Sequence, residues 1–156
     1  TQQNDNLLIM AKGSQLDFAN NLLCNGTITL RMMHTKNGTI GNIFFRAQSK
    51  NLDRKNLYWA RLDSRERYCG FHLFKNVDGQ ETLLASFDLP VFENIWYNIK
   101  LEFTGDTLKG YMDNEITWNV VDSDFSSGYW GLNVEPVSEG NANIYLDSYS
   151  VNFSSD

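Results

Sequence analysis

Apolar and polar side chains alternate along the segment Trp96-Tyr97-Asn98-Ile99-Lys100-Leu101-Glu102-Phe103. The side chains at positions 97, 99, 101 and 103 share one face of an extended chain, and the polar side chains between them share the other. This two-residue period is typical of a β-strand with one buried face. Two short turns follow, Gly105-Asp106 and Asp113-Asn114. The segment therefore predicts an antiparallel meander.

The rest of the chain continues this pattern of short runs rich in β-branched and aromatic residues between turn clusters. No long segment carries apolar residues at helical spacing. Eleven strands are predicted: Leu7–Met10, Gly26–His34, Asn42–Gln48, Leu57–Ser64, Gly70–Lys75, Glu81–Phe87, Trp96–Phe103, Thr107–Met112, Glu115–Val121, Gly128–Val134 and Asn143–Phe153. Strands this short, with hairpin spacing, indicate an all-β fold, an antiparallel two-sheet sandwich. The 156 residues show no composition break, so we expect a single domain over 1–156.

Charge and hydropathy limit the classes of partner. The formal net charge is -6, and nonspecific binding to nucleic acid or to anionic lipid requires the opposite sign. No apolar run reaches the roughly 18 residues of a membrane span. We therefore expect no nucleic-acid partner and no membrane insertion. The polar start of the chain has no signal-peptide pattern, which is what a mature or excised domain would show.

The two cysteines and the three glycosylation sequons leave alternatives open. Cys24 and Cys69 lack the spacing of a metal or redox motif. They either form one disulfide across the sandwich or remain as two buried thiols. Sequons begin at Asn25, Asn37 and Asn152, and their use depends on a eukaryotic secretory route.

Four groups of segments resemble the concanavalin A-like lectin/glucanase superfamily, which includes the laminin-G-like sandwiches. They occur in the order typical of that superfamily and together cover about residues 26–153. The segments are Gly41–Ala47 with Tyr58–Leu62, His72–Gly79 with Thr82–Ala85, Trp96–Leu101 with Leu108–Glu115, and Ser127–Leu132 with Tyr145–Val151. The resemblance implies a jelly-roll sandwich. It is strongest to the noncatalytic carbohydrate-binding modules attached to glycosidases, including fructan-binding and sialic-acid-binding modules.

This resemblance implies a lectin-like, carbohydrate-binding module of a secreted or cell-surface protein, as one part of a larger chain. Two other functions remain open on the same fold. One is a laminin-G-like protein-binding or adhesion domain, which would need a broad apolar patch of several hundred Å². The other is a glycosidase or lyase.

The catalytic alternative lacks its motif. Hydrolases of this fold carry their two carboxylates in a Glu-x-Asp-x-Glu pattern on one strand, which places both on one face of the sheet. This sequence contains no Glu-x-Asp, and its nearest match, Asp113-Asn114-Glu115, falls on a predicted turn. His34 and His72 have no catalytic motif around them. We therefore expect no enzymatic activity and name no catalytic residue.

Metal and cofactor motifs are also lacking. Two isolated histidines and two distant cysteines do not match the ligand spacing of a zinc site. We expect no cofactor. Many sandwiches of this superfamily hold a structural calcium near the last strand, and the resemblance implies Asp147 as the candidate for such an ion. The alternative for Asp147 is a solvated or turn-bonded carboxylate.

Sugar binding needs flat rings against the apolar face of the sugar and planar polar groups for its hydroxyls. On one predicted strand Trp59, Arg61 and Asp63 share a face, and on the preceding strand Arg46 and Gln48 share a face. If the two faces coincide, these five residues form one ligand-binding patch in which a sugar stacks on Trp59. The alternative is a structural Arg–Asp pair with Trp59 packed on it.

Basic residues are concentrated around this patch. Seven of the thirteen lysines and arginines lie between Arg46 and Arg67, in an otherwise acidic protein. Guanidinium groups suit carboxylate and sulfate, so the ligand predicted here includes acidic glycans. The alternative is an ordinary solvated loop at 49–56.

Overall fold

The computed structural model describes residues 2–4, 7–51, 53–135 and 143–154, with side chains described at these positions except 2–4, 18–21 and 154. Thirteen strands and no helix occur in these ranges. In chain order the strands are β1 (Gln2–Asn4), β2 (Leu8–Ala11), β3 (Gln15–Leu23), β4 (Asn25–His34), β5 (Ile40–Ala47), β6 (Leu57–Asp63), β7 (Gly70–Val77), β8 (Gln80–Asp88), β9 (Trp96–Thr104), β10 (Thr107–Met112), β11 (Glu115–Val121), β12 (Gly128–Val134) and β13 (Asn143–Ser154). The predicted antiparallel two-sheet sandwich is confirmed.

The strands form two sheets with antiparallel pairings. The first sheet has the order β1-β13-β4-β9-β10-β11, and β2 also pairs with β13. The second sheet has the order β3-β12-β5-β6-β7-β8. β1 and β13 are the first and last strands of the described residues, and they lie side by side with Gln2 opposite Val151 and Asn4 opposite Tyr149.

The hydrophobic core lies between the two sheets. Tyr97, Ile99, Leu101 and Phe103 are each no more than 6% exposed, so the predicted apolar face of β9 is confirmed. Trp130 of β12 is 1% exposed and packs in the same core. Strand alternation therefore assigns inner and outer faces over most of both sheets, and the inner faces hold the apolar side chains.

The cysteines remain free thiols in this structure. Cys69 Sγ accepts a hydrogen bond from the backbone N–H of Val91 at 2.9 Å, which ties the connection after β8 to the connection before β7. Of the alternatives left open by the sequence, the structure shows two separate thiols.

The calcium predicted near Asp147 remains a prediction. The Asp147 carboxylate accepts hydrogen bonds from Arg31 at 2.9 Å and from Ser148 at 3.0 Å. Within the described ranges, no group of three or more metal-ligating side chains is placed to hold an ion. The same ranges contain no helix that is long and apolar enough to span a membrane.

His34 at the end of β4 is a buried histidine with an unusual environment. Its side chain is 0% exposed, and neither ring nitrogen has a hydrogen-bond partner among the described residues. Burial lowers the pKa of His34 to about 4, against a smaller opposing effect of the Asp63 carboxylate. The neutral ring is therefore the form that the folded protein accommodates.

We expect acid to destabilise the fold through His34. Because the folded-state pKa is about 4 and the unfolded value is about 6.5, the unfolded chain takes up the proton first as the pH falls below about 6.5. The free energy of unfolding should fall by about 2–3 kcal/mol between pH 7.5 and pH 4.5. The His34 contribution to this fall should level off below pH 4. Urea unfolding at pH 7.5 and pH 4.5 measures it. His34→Leu should remove most of this pH dependence, and an unchanged slope in that variant would refute the assignment.

Candidate functional site

The outer face of the second sheet gathers polar side chains in register across four strands. β5 pairs with β6 so that Asn42 lies opposite Arg61, and β6 pairs with β7 so that Arg61 lies opposite His72. On the far side of β7, His72 lies opposite Ser86 of β8. Residues directly opposite one another on one face are close enough for their side chains to interact. The register therefore forms a polar row across the sheet.

An aromatic layer lies next to this row. Phe44, Trp59 and Phe74 are in register on the same face, with ring centroids 6.0 Å apart for Phe44–Trp59 and 5.5 Å apart for Trp59–Phe74. The Arg61 guanidinium covers both neighbouring rings, 5.5 Å from the centroid of Trp59 and 4.8 Å from that of Phe74. Trp59 is consequently only 4% exposed. The Trp59 ring thus packs beneath the Arg61 guanidinium of the polar row.

A cleft of about 180 Å³ opens beside the covered aromatic layer. β6, β7, β8 and the connection between β6 and β7 each contribute to its walls. The lining residues are Arg61, Asp63, Arg65, Arg67, Tyr68, His72, Phe74, Leu83, Ser86 and Asp88. The cleft therefore combines guanidinium groups, carboxylates and rings in a small volume.

One wall is held rigid by a salt bridge. The Asp63 carboxylate is 1% exposed and accepts hydrogen bonds from the backbone N–H and the guanidinium of Arg65, the shortest at 2.6 Å. Hydrogen bonding to Asp63 raises the pKa of Arg65. The Arg65 guanidinium also lies 4.5 Å from the ring centroid of Tyr68. Tyr68 remains 54% exposed, so the cleft has an accessible ring that is braced by a fixed cation.

The opposite wall is a hydrogen-bonded chain. His72 Nε2 lies 2.9 Å from the backbone O of Tyr68 and Nδ1 lies 2.9 Å from Ser86 Oγ. Because a carbonyl only accepts, the contact with Tyr68 assigns a proton to Nε2. Ser86 Oγ is also 3.0 Å from Asp88 Oδ1. Ser86 thus links the imidazole to the Asp88 carboxylate, whose second oxygen has no hydrogen bond among the described residues and stays available to a ligand.

Gly70 makes this arrangement possible. A Cβ atom at position 70 would collide with the His72 ring and with the backbone O of Phe87. The missing side chain leaves the space that the imidazole occupies at the cleft.

The arginines of the cleft differ in how far they are already engaged. Arg61 Nε donates to Asn42 Oδ1 at 3.3 Å, and its Nη2 lies 3.7 Å from the Glu135 carboxylate. Burial lowers the pKa of Arg61, against the opposing charge of Glu135. Arg67 is exposed and has no hydrogen bond or ion pair with any residue in the described part of the chain. Arg67 is therefore the cation most available to a ligand.

The structure brings together part of the patch that the sequence predicts. Arg61 and Asp63 line the cleft, and Trp59 lies beneath Arg61. Gln48 lies elsewhere, where its amide donates to the backbone O of Arg46 at 2.9 Å and of Ser127 at 2.7 Å. Whether these residues bind a ligand remains a prediction, and Trp59 as placed does not offer an open face for stacking.

Arg46 does not join the patch, because a β-bulge reverses its face. The register between β5 and β12 shifts near this point, and Arg46 has a φ of 48°. Its side chain is 0% exposed and points into the sandwich, with the guanidinium 5.4 Å from the ring centroid of Phe103. Gly128 permits the bulge, since a Cβ at that position would collide with the backbone of Arg46 and Ala47.

Sequence reasoning missed several residues of the cleft. Tyr68, His72, Ser86 and Asp88 carry no motif, and only the pairing of β6, β7 and β8, with the connection between β6 and β7, brings them to the same cleft as Arg61. The local concentration of basic residues was the one available signal, since Arg65 and Arg67 belong to it. The Asp113 turn is not part of the cleft: its carboxylate accepts a hydrogen bond from the backbone N–H of Asn98 at 2.8 Å.

No protein-family model matches the chain. A levanase from Bacillus subtilis (strain 168) is 35% identical over 94 residues, which are 60% of this chain and 13% of that protein. This chain thus corresponds to a small part of the relative's length.

Solved structures share the fold. The carbohydrate-binding module CBM66 from Bacillus subtilis superposes with a TM-score of 0.71 at 22% identity, covering 91% of this chain and 95% of that one. A β-glucanase from Bacillus licheniformis superposes with a TM-score of 0.62 at 10% identity, covering 86% of this chain and 69% of that one. The chain therefore has the concanavalin A-like sandwich fold that its sequence predicts.

Proposed function

We propose that this chain is a noncatalytic carbohydrate-binding module whose cleft holds one sugar unit. The observation that carries the proposal is the exposed Tyr68 ring, braced by Arg65 and set within a cleft of about 180 Å³ beside guanidinium donors. Sites for drug-sized molecules usually measure about 300–1,000 Å³. A cleft below that range suits a single sugar ring at the end or the side of a chain.

Each wall of the cleft has a role in this binding mode. The apolar face of a sugar stacks on Tyr68, whose ring is already oriented by Arg65 and therefore loses little entropy on binding. Arg61 and Arg67 donate to ring or hydroxyl oxygens. Asp88 accepts a hydrogen bond from a sugar hydroxyl through its second carboxylate oxygen. Hydrogen bonds to charged groups contribute about 1.5–3 kcal/mol each when shielded from water.

Levan is the first ligand to test. The related levanase is named for this fructan, and the matching region is a small part of that protein. The structural similarity to CBM66 extends over nearly the whole of both chains. An acidic glycan is the second candidate, because the unpaired Arg67 guanidinium suits a carboxylate or sulfate.

Binding without cleavage fits the state of Asp63, one of the two carboxylates that line the cleft. Asp63 is held by Arg65 in a 2.6 Å salt bridge, so it is poorly placed to act as a nucleophile or a proton donor. The proposal places the module in a secreted or cell-surface protein, as a part of a larger chain, in line with its likeness to part of a levanase.

Replacing the exposed ring should weaken sugar binding. We expect Tyr68→Ala to lower the affinity for levan about tenfold, since stacking of this kind contributes roughly 1 kcal/mol or more. Isothermal titration calorimetry measures it, and the same incubation should release no free sugar. Tyr111→Ala is the matched control, because Tyr111 also carries a cation over its ring, Lys100 Nζ at 4.9 Å, on the other sheet.

Three outcomes would contradict the proposal. An equal loss of affinity for levan in Tyr68→Ala and Tyr111→Ala would mean that the sugar does not bind in the cleft. Release of sugar by the wild type would make the chain an enzyme. Failure to bind levan or any member of a glycan array, together with capture of a protein ligand, would favour the laminin-G-like alternative. Affinity that falls steeply with salt would identify the ligand as acidic.

A further inference from the structure

A second depression adjoins the cleft at the edge of the sandwich. This groove measures about 740 Å³, roughly four times the volume of the cleft. The connection between β6 and β7 forms one side, and the segment from Asp88 to Phe92 forms the other. Arg67 and Asp88 line both the cleft and the groove. The two depressions therefore meet at a shared pair of charged side chains.

The far wall of the groove carries an exposed ring on a fixed backbone. Phe92 is 58% exposed. Its backbone N–H donates to Tyr97 Oη at 2.8 Å, and the preceding N–H of Val91 donates to Cys69 Sγ at 2.9 Å. A large apolar ring left in water on an anchored segment is a ready platform for a second flat ligand.

The polar groups of the groove are available for hydrogen bonding. Glu66 and Arg67 are both exposed, and neither has a hydrogen bond or ion pair with the residues described in this structure. Together with the Phe92 ring, which lines the same groove, they provide an acceptor, a forked donor and an apolar surface. This combination recognises a sugar rather than an apolar peptide, because sugar rings present hydroxyls around an apolar face.

We propose that the groove is a second sugar subsite, continuous with the cleft across Arg67 and Asp88, in which Phe92 stacks on a further unit of the same chain. The inference rests on the proposed function of the cleft. It makes the module a binder of oligosaccharides, with an affinity that rises with chain length.

A series of β-2,6-linked fructo-oligosaccharides tests this. In the wild type we expect the tetrasaccharide to bind about tenfold more tightly than fructose, on the scale of one added aromatic contact. In Phe92→Ala the affinity for the tetrasaccharide should fall close to the affinity for fructose. Ile95→Ala is the matched control, because Ile95 is a 48% exposed apolar residue of the same connection that does not line the groove.

Cys69 supplies a second readout from within the groove. In a Cys24→Ser background, alkylation of Cys69 by iodoacetamide should slow severalfold with the tetrasaccharide and hardly at all with fructose. Equal affinity for fructose and the tetrasaccharide, with no protection of Cys69, would refute the assignment of the groove as a sugar subsite. The proposed sugar site in the cleft would still stand. No binding at any chain length would instead overturn the proposed fructan function, and the groove inference with it.

Discussion

Trp59→Ala should lower the free energy of unfolding by about 3–5 kcal/mol, the usual cost of truncating a buried tryptophan. The indole is only 4% exposed, wedged between Phe44 and Phe74 and covered by Arg61. Removing it leaves a cavity that a β-sheet surface can close only in part. Chemical denaturation followed by far-ultraviolet circular dichroism measures the change.

Two further variants make this result specific. Trp59→Phe keeps an aromatic ring between Phe44 and Phe74 and removes an indole N–H that has no hydrogen-bond partner among the described residues, so most of the stability should remain. Tyr68→Ala removes an exposed ring and should cost little stability. A Trp59→Ala protein that unfolds like the wild type but no longer binds sugar would mean that the ligand stacks directly on Trp59.

Arg46→Ala should also destabilise the fold by about 3–5 kcal/mol, through lost charged hydrogen bonds and unpaired buried carbonyls. The guanidinium donates to the backbone O of Cys24 at 2.7 Å and of Phe125 at 3.0 Å. Burial lowers the pKa of Arg46, yet its guanidinium is held by hydrogen bonds to two separate backbone carbonyls. Urea unfolding gives the magnitude.

Arg46→Lys should recover little of that loss, because one ammonium group cannot reproduce the geometry of the planar fork. Arg67→Ala, at an exposed and unpaired arginine, should leave the unfolding free energy within about 0.5 kcal/mol of the wild type. If Arg46→Ala kept its stability and lost sugar binding, Arg46 would belong to the ligand site that its strand position suggests.

Strand positions were predictable where apolar and polar residues alternate along a strand that buries only one of its faces. β9, β10, β11 and β12 begin and end within a residue of the predicted bounds. β3 was missed. Its Asn20-Asn21 pair favours turns, and the hydrogen bonds that make it a strand come from β12, more than a hundred residues later. Such pairing is a property of tertiary structure that no local pattern contains.

The site was only partly predictable for a related reason. Alternation correctly put Arg61 and Asp63 on one face, because β6 is regular. It gave the wrong face for Arg46, where one bulge inverts the period. His72 and Asp88 became recognisable only once β7 and β8 were in register with β6, and register follows from packing and turn geometry rather than from composition.

The pairing of the first and last strands has a consequence for engineering. β1 and β13 run antiparallel at one side of the first sheet, with Gln2 opposite Val151, whereas the cleft opens on the outer face of the second sheet. Two strands that are remote in sequence but adjacent in space can be joined by a short linker, which is the geometry that circular permutation requires. A scaffold attached at this strand pair would therefore be carried by the first sheet and would leave the cleft on the second sheet open.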